Sequence, residues 1–538
     1  MYKNTLFLLL CAVSILASAQ PHATGLIWDN TAYSSTPLKA TLTRGLYNSM
    51  PSSASLKQYC PSIGDQGNYG TCVGWSCSYS ARTILWARQQ GITNTSDITT
   101  AAFSPGFLYR NIVTPNNYPS CSSGAKLDDA LECLKQIGDV LKQQYDPLCP
   151  NEIDNGLMKQ AESYRIENYA HLFDSYDAEE TILNSTKKAL SEGNPVVIGM
   201  VVPESFQVCR EDLWTPTANE QANPNVGGGH AMCVIGYDNN KYGGAFEIMN
   251  SWGEKWGNKG FVWVKYNDYA RFTRYAFEMI NNINPTPAPV VVVVPPPSPQ
   301  PNNKIDPPTP PPTPKPQPNP VPTMDYDFAG DMRFVLKDGT EMKGRIEEVR
   351  GLYVVDNDEP SPTPNRKKKE NNPDNFKPDP NLTTGKFIAY RIDQAYSEGT
   401  QFRVYLRNNE AAYVYAISMD GTNNAVTLFP HKPSISPILN YKKSEVAMPS
   451  ESSYIVMDDV KGTDIFCLLY SKEALDIESI NRQLEQETGT FFQRLYKIMK
   501  DKLVHREHLR YYNQRMRFEV KSYGTGTVVP IVVELPHN

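Results

Sequence analysis

Apolar residues follow two different periods along the chain, and the change between them divides it. Over 72–90 the run CVGWSCSYSARTILWARQQ is apolar on most faces (Val73, Trp75, Ile84, Leu85, Trp86) and stops at Gly91. This predicts a buried helix. Leu127, Ala130, Leu131, Leu134 and Ile137 recur at helical spacing up to Gly138, a second helix. Past residue 165 the runs shorten. Residues 195–202, 231–235, 246–249 and 261–264 are brief apolar stretches bounded by Gly, Asn or Asp, and they read as buried strands. A helical half followed by a β half predicts two lobes meeting at a cleft.

The rest of the chain is patterned differently. Residues 20–55 are polar, rich in Ser and Thr, and without a helical period, so they predict a short N-terminal extension rather than an inhibitory prodomain. Residues 284–323 are crowded with proline and predict an extended, semi-rigid linker. Beyond it, 332–342 (MRFVLKDGTEM) predicts a hairpin turning at Asp338-Gly339. Phe402, Val404 and Leu406 alternate with polar positions, as do Tyr413, Tyr415, Ile417 and Met419. Helices over 473–486 and 490–509 and a last strand over 528–533 follow, while 356–381, rich in Pro, Asn and Lys, predicts a disordered loop. The expected class is α+β: a two-lobe domain over 56–283, the linker, then a β-rich α+β domain over 324–538.

Composition narrows the function. A net charge of −6 with scattered Lys and Arg argues against nucleic acid as a partner. Met1-Tyr2-Lys3, the apolar run from Leu6 to Leu16 and Ala17-Ser18-Ala19 predict a signal peptide over 1–19. No integral membrane segment is expected in the mature chain, which is predicted to be exported to a periplasmic, cell-surface or extracellular location. Nine cysteines follow residue 19; in an oxidising compartment some pair, and the odd number leaves a free thiol.

One set of residues has chemical content beyond packing. A cysteine nucleophile acts as its thiolate, and Cys72 at the first turn of a buried helix meets unpaired N–H groups and a partial positive charge. Gln66, six residues earlier, is placed to complete an oxyanion hole with the Cys72 backbone N–H. Between residues 55 and 283 the histidines are His171 and His230. His230 follows three glycines and opens an apolar strand; His171 has no orienting amide motif behind it. Asn250 ends another strand and can orient the imidazole, with Trp252 covering that bond. The bland readings are a structural thiol, a satisfied core histidine and a strand-capping asparagine. The four residues in this order outweigh them.

Gln66-Gly67-Asn68-Tyr69-Gly70-Thr71-Cys72, Gly229-His230-Ala231 and the stretch Asn250-Ser251-Trp252-Gly253-Glu254-Lys255-Trp256-Gly257-Asn258-Lys259-Gly260 resemble the motifs of papain family cysteine peptidases. The resemblance spans about residues 56–283. It implies a papain-like fold, with a helical lobe and a β-barrel-like lobe, and hydrolysis of peptide bonds through a thioester. It further implies Cys72 as nucleophile, His230 as acid and base, Asn250 as orienter and Gln66 as oxyanion donor, with Ser123, Gly124 and Gly229 against the substrate backbone. Two positions depart from the family pattern: Tyr69 replaces a bridging cysteine, leaving Cys121 to pair elsewhere, with Cys149 the choice, or to stay free, and Val73 replaces a tryptophan. The family's long helical prodomain is missing, so latency has to come from elsewhere. The C-terminal part resembles, through Tyr413-Val414-Tyr415-Ala416-Ile417 and Leu428-Phe429-Pro430, a β-rich domain of unknown function in bacterial exported proteins.

The function expected is therefore an exported cysteine peptidase, an endopeptidase acting on proteins or peptides, with its C-terminal domain holding it near a surface or protein partner. An inert papain-like lobe in a binding or scaffolding protein, and a thiol acyltransferase, are the alternatives. No cofactor is expected. No metal site is expected either, since the cysteines are dispersed and no His-x-x-x-His pair occurs.

Overall fold

The computed structural model describes residues 22–113, 121–149, 152–175, 177–281, 329–348, 388–504, 508–520 and 526–538. The expected signal peptide, the proline-rich linker and the loop over 356–381 lie outside the described residues. The chain forms two compact units, residues 1–36 with 51–279 and residues 37–50 with 280–538. The extension expected over 20–55 is therefore shared: its first part belongs to one unit and residues 37–50 to the other.

In the first unit the buried helix begins at Cys72, runs through a π-helical stretch (Trp75–Arg82) and ends at Gln90. Gly91 closes it in the left-handed region at φ 68°, a conformation open to glycine without penalty. Cys72, Val73, Cys77, Ala81 and Ile84 are fully buried, which explains why no polar stripe is present. The second predicted helix is Leu127–Gln136. A sheet supplies the other half. Its strands are β1 (Ser53–Ser55), β2 (Asn168–His171), β3 (Val196–Val202), β4 (Leu213–Trp214), β5 (Gly228–Asp238), β6 (Ala245–Met249), β7 (Phe261–Lys265) and β8 (Thr273–Ile280). Their order is β2-β8-β3-β5-β6-β7-β4, with β1 on β5. All seven side chains of β3 are buried, as its unbroken apolar run requires.

Register is what brings the site together. Met200 faces His230 across β3 and β5, and Cys233 faces Met249 across β5 and β6. Asn250, the residue after β6, therefore lies level with Met232, one same-face step from His230. The loop from Asn250 to Gly260 is held shut by the Asn250 N–H on the Gly260 carbonyl at 3.1 Å.

The second unit contains two seven-stranded sheets. The strand Ala412–Met419 is buried on both faces: Val414 and Ala416 join one apolar core, Tyr413, Tyr415 and Ile417 another. Its alternation separates two cores rather than core from solvent. The helices Ile477–Gln486 and Phe491–Met499 contribute Leu484 and Leu495 to the second core. The latter helix is shorter than the predicted 490–509, and Leu509–Tyr512 is a strand. Residues Ala40 and Leu42 are buried in the first core, and Leu42 bridges to Val446.

Candidate active site

The Cys72 sulfur lies where the helix begins, with the backbone N–H groups of Ala231, Gly25, Val73 and Cys72 itself near enough to favour its thiolate. The Ala231 contact brings the strand residue next to His230 onto the sulfur. Burial nevertheless pushes the thiol up to about 11, the N–H groups offsetting only part of the desolvation. His230 is likewise fully buried, which pulls its imidazole down to about 4 against the raising effect of Asn250, with His22 adding a small lowering. Its Nε2 lies 2.7 Å from Asn250 Oδ1. That oxygen also accepts the Ser251 N–H at 2.8 Å, which orients the amide. A carbonyl oxygen only accepts, so Nε2 carries the proton and Nδ1 keeps its lone pair, without a hydrogen-bond partner among the described residues.

Trp252 covers this pair. Its ring stacks on His230 with centroids 4.3 Å apart, and Phe206 and Trp256 pack around it. Gln66 is tied down on three sides: its N–H to the Ser251 carbonyl at 2.9 Å, its Oε1 from the Ser251 hydroxyl at 2.7 Å, its Nε2 to the Tyr69 carbonyl at 2.8 Å. Ser251, not singled out in the sequence, thus fixes which way the Gln66 amide points.

The cleft is filled by the chain's own residues 22–28. Gln66 Nε2 donates to the Ala23 carbonyl at 3.1 Å, the Gly25 N–H meets the Cys72 sulfur, and His22 stacks on Trp252 with centroids 4.7 Å apart. The Leu26 N–H donates to the Gly229 carbonyl at 3.1 Å, and Ile27 and Gly25 exchange hydrogen bonds with Ala125 at 2.9 and 2.8 Å. The fit demands small residues. A Cβ on Gly25 would stand 2.1 Å from the Gly70 carbonyl oxygen, and one on Gly124 would stand 2.5 Å from that of Gly25. Two of the three positions expected at a substrate backbone, Gly124 and Gly229, therefore face this strap; the Ser123 carbonyl accepts the Tyr109 hydroxyl at 2.5 Å.

Residues 20–55 lack the helical pattern of an inhibitory prodomain, and their first part lies along the cleft as an extended strand. The expectation of no prodomain rested on a helical period, whereas a cleft is filled by an extended strand that needs only small residues and backbone donors. Ala23-Thr24-Gly25 was the available signal. The strap is anchored downstream, where Asp29 caps the helix Asn30–Ser35 and pairs with Lys126 at 2.6 Å, and Tyr33 donates to the Phe173 carbonyl at 2.6 Å. His171 belongs to this anchor, its Nδ1 lying 3.0 Å from the Thr36 hydroxyl. Cys121 and Cys149 form a disulfide with Cα atoms 5.6 Å apart, while the other described cysteines are free and buried.

Residues 52–279 match the family model described as papain family cysteine protease. An uncharacterized peptidase C1-like protein of Acanthamoeba polyphaga mimivirus is 28% identical over 246 residues, covering 41% of this chain and 72% of that protein. The cathepsin B-like cysteine proteinase 3 of Ostertagia ostertagi is 27% identical over 147 residues, 27% of this chain and 75% of its own. Among solved structures, xylellain, a cysteine protease from Xylella fastidiosa, aligns with a TM-score of 0.39 at 20% identity, over 48% of this chain and 97% of that one.

Proposed function

We propose that residues 52–279, a papain family cysteine protease domain, hydrolyse internal peptide bonds with Cys72 as nucleophile. The observation that carries this reading is the occupied cleft: a length of polypeptide already lies in it, with a peptide carbonyl on Gln66 Nε2 at 3.1 Å. The strap continues on both sides of the sulfur, from His22 at Trp252 to Leu26 at Gly229. A cleft that accepts chain on both sides suits an endopeptidase.

With a substrate in place of the strap, the Cys72 thiolate attacks the carbonyl carbon. The oxyanion that forms takes hydrogen bonds from Gln66 Nε2 and the Cys72 N–H. Protonated His230 gives a proton to the leaving amine from Nδ1, while Asn250 holds Nε2. His230, now neutral, takes a proton from water, which attacks the thioester and frees the acid. In the closed form the same two groups are neutral: burial holds the thiol high and the imidazole low. The strap therefore both blocks the cleft and keeps the nucleophile protonated. This is a latent peptidase whose inhibitor is its own residues 22–28.

Export follows from the apolar run ahead of Ala17-Ser18-Ala19, and we assign the second unit to a surface or protein partner. The test of the peptidase uses the full chain with Gly25→Val, whose side chain collides with Gly70, beside Gly25→Val/Cys72→Ala. Fluorogenic peptides are cleaved by the first and not by the second, and a thiol-directed epoxide titrates one site. A folded Gly25→Val chain that reacts with the epoxide yet cleaves nothing would sink the reading in favour of an inert lobe. Cross-linked rather than shortened products would replace hydrolysis by acyl transfer.

A further inference from the structure

The second unit buries a histidine that packing does not explain. The strands Gly462–Ser471 and Val528–His537 run antiparallel, with Gly462 opposite His537 and Asp464 opposite Leu535. Side chains two apart share a face, so Asp464 and His537 are diagonal neighbours on one side of the sheet. Gly462 puts no side chain between them, and a Cβ there would meet nothing within 4 Å. Asp458 reaches the same spot from the preceding loop, its Oδ1 steadied by the Val460 N–H at 2.9 Å.

The His537 side chain is 1% exposed, and among the described residues neither ring nitrogen has a partner at hydrogen-bond geometry. Asp464 Oδ1 is also buried without a partner. Nδ1 lies 3.4 Å from Asp464 Oδ2 and 3.7 Å from Asp458 Oδ1. Both separations exceed ordinary hydrogen bonds. They approach the spacing between ligands on a tetrahedral ion, roughly 3.4 Å for bonds of about 2.1 Å. One potential ligand atom from each of the three residues falls within 4.8 Å of the others.

We propose that Asp458, Asp464 and His537 bind a divalent first-row transition ion. One imidazole and two carboxylates form a borderline-hard donor set suited to Zn²⁺ or Mn²⁺ and unsuited to Cu⁺. Three protein ligands leave a fourth position on the exposed Asp458 side for water or an outside ligand. The ion ties the strand Val528–His537 to the loop before Gly462 in addition to the strand ladder and contacts such as Arg391 with Glu534. The expectation that no metal binds rested on Cys clusters and His-x-x-x-His spacing. This set has neither, because the sheet rather than the local sequence assembles it.

The test uses the full chain freed of metal by chelator and titrated calorimetrically with ZnCl₂ and, separately, MnCl₂. Cysteines elsewhere can take zinc, so the measure is the difference between variants. Wild type binds one equivalent more than His537→Ala, and its thermal midpoint rises with metal while that of the variant rises less. Asp458→Asn, at an exposed loop position where the fold does not depend on the charge, loses at least about tenfold in affinity at this site. Equal stoichiometry and affinity in wild type, His537→Ala and Asp458→Asn, for both ions up to millimolar concentration, would overturn the proposal and leave a buried imidazolium between two carboxylates.

Discussion

Two buried histidines, one in each unit, show what a partner's charge decides. His230 has one nitrogen on the neutral Asn250 amide at 2.7 Å, and among the described residues no carboxylate is hydrogen-bonded to it. His537 faces two carboxylates at 3.4 and 3.7 Å and hydrogen-bonds to neither. An amide orients a ring while leaving it free to change charge, as an acid that later acts as a base must. Carboxylates favour a positive charge and hold it, whether on the ring or on an ion between the three groups. Burial alone is common to both; the neighbours distinguish the proposed proton carrier from the proposed cation holder.

The largest expected effect sets the two against each other in one assay. In the Gly25→Val chain, His230→Ala lowers kcat/KM for a peptide by on the order of 10²–10⁴-fold, and His537→Ala leaves it within about twofold. Comparable losses from both would erase the distinction. A loss from His537→Ala that added metal could not influence would turn it into one of folding.

The next effect follows from burial by the strap. His230 sits at about 4 in the closed form against an ordinary 6.5, pulled down by burial, and departure of the strap is expected to relieve part of that burial and raise the value toward the ordinary range. The depressed value favours the closed form fully above 6.5, and that preference is lost as pH falls toward 4. His22 is shifted the same way by burial and by Arg210, with Asp65 opposing, so it reinforces the sign. The Cys72 thiol, raised to about 11 from 9, removes the preference at the other end as pH rises past 9. Closure is therefore strongest between about 6.5 and 9. Near pH 4.5 the protection of the Leu26 and Ile27 amides against hydrogen exchange, corrected for intrinsic rates, falls by about 10²-fold relative to pH 7. Unchanged protection would mean that the imidazole does not gain a proton when the strap leaves.

These outcomes bear on what the sequence could reveal. Cys72, His230, Asn250 and Gln66 were legible because each needs a particular residue type beside glycines that permit close approach. The helix over 72–90 was legible because its apolar run is long, and β3, β5, β6 and β7 because their short apolar runs are bounded by Gly, Asn or Asp, whereas β1, β2 and β4 carry no such run. The strap was not, since a seven-residue extended segment is too short to show a period and only Ala23-Thr24-Gly25 marks its close fit. The Asp458–Asp464–His537 set was not, since its members are joined by strand register. The double-sided burial of 412–419 was hidden because alternation looks alike whether the second face meets solvent or another core.

The smallest effect tests how far neutrality extends around His230. Ser251 donates its hydroxyl to Gln66 Oε1 at 2.7 Å and its backbone N–H to Asn250 Oδ1 at 2.8 Å, joining the oxyanion donor to the orienting amide. Ser251→Ala keeps the second bond and removes the first. The Gln66 amide then loses the donor on its oxygen and is held by the Tyr69 carbonyl on its nitrogen. A neutral hydrogen bond of this kind contributes about 0.5–1.5 kcal/mol, which is roughly 2–10-fold in rate. In the Gly25→Val chain the loss falls on kcat rather than KM, because the oxyanion forms only after attack. Restoring a hydroxyl with Ser251→Thr recovers part of it. A loss as large as that of His230→Ala would show that the cleft depends on Ser251 for more than orientation, and the contrast between a neutral, orienting shell and a charged, binding one would need redrawing.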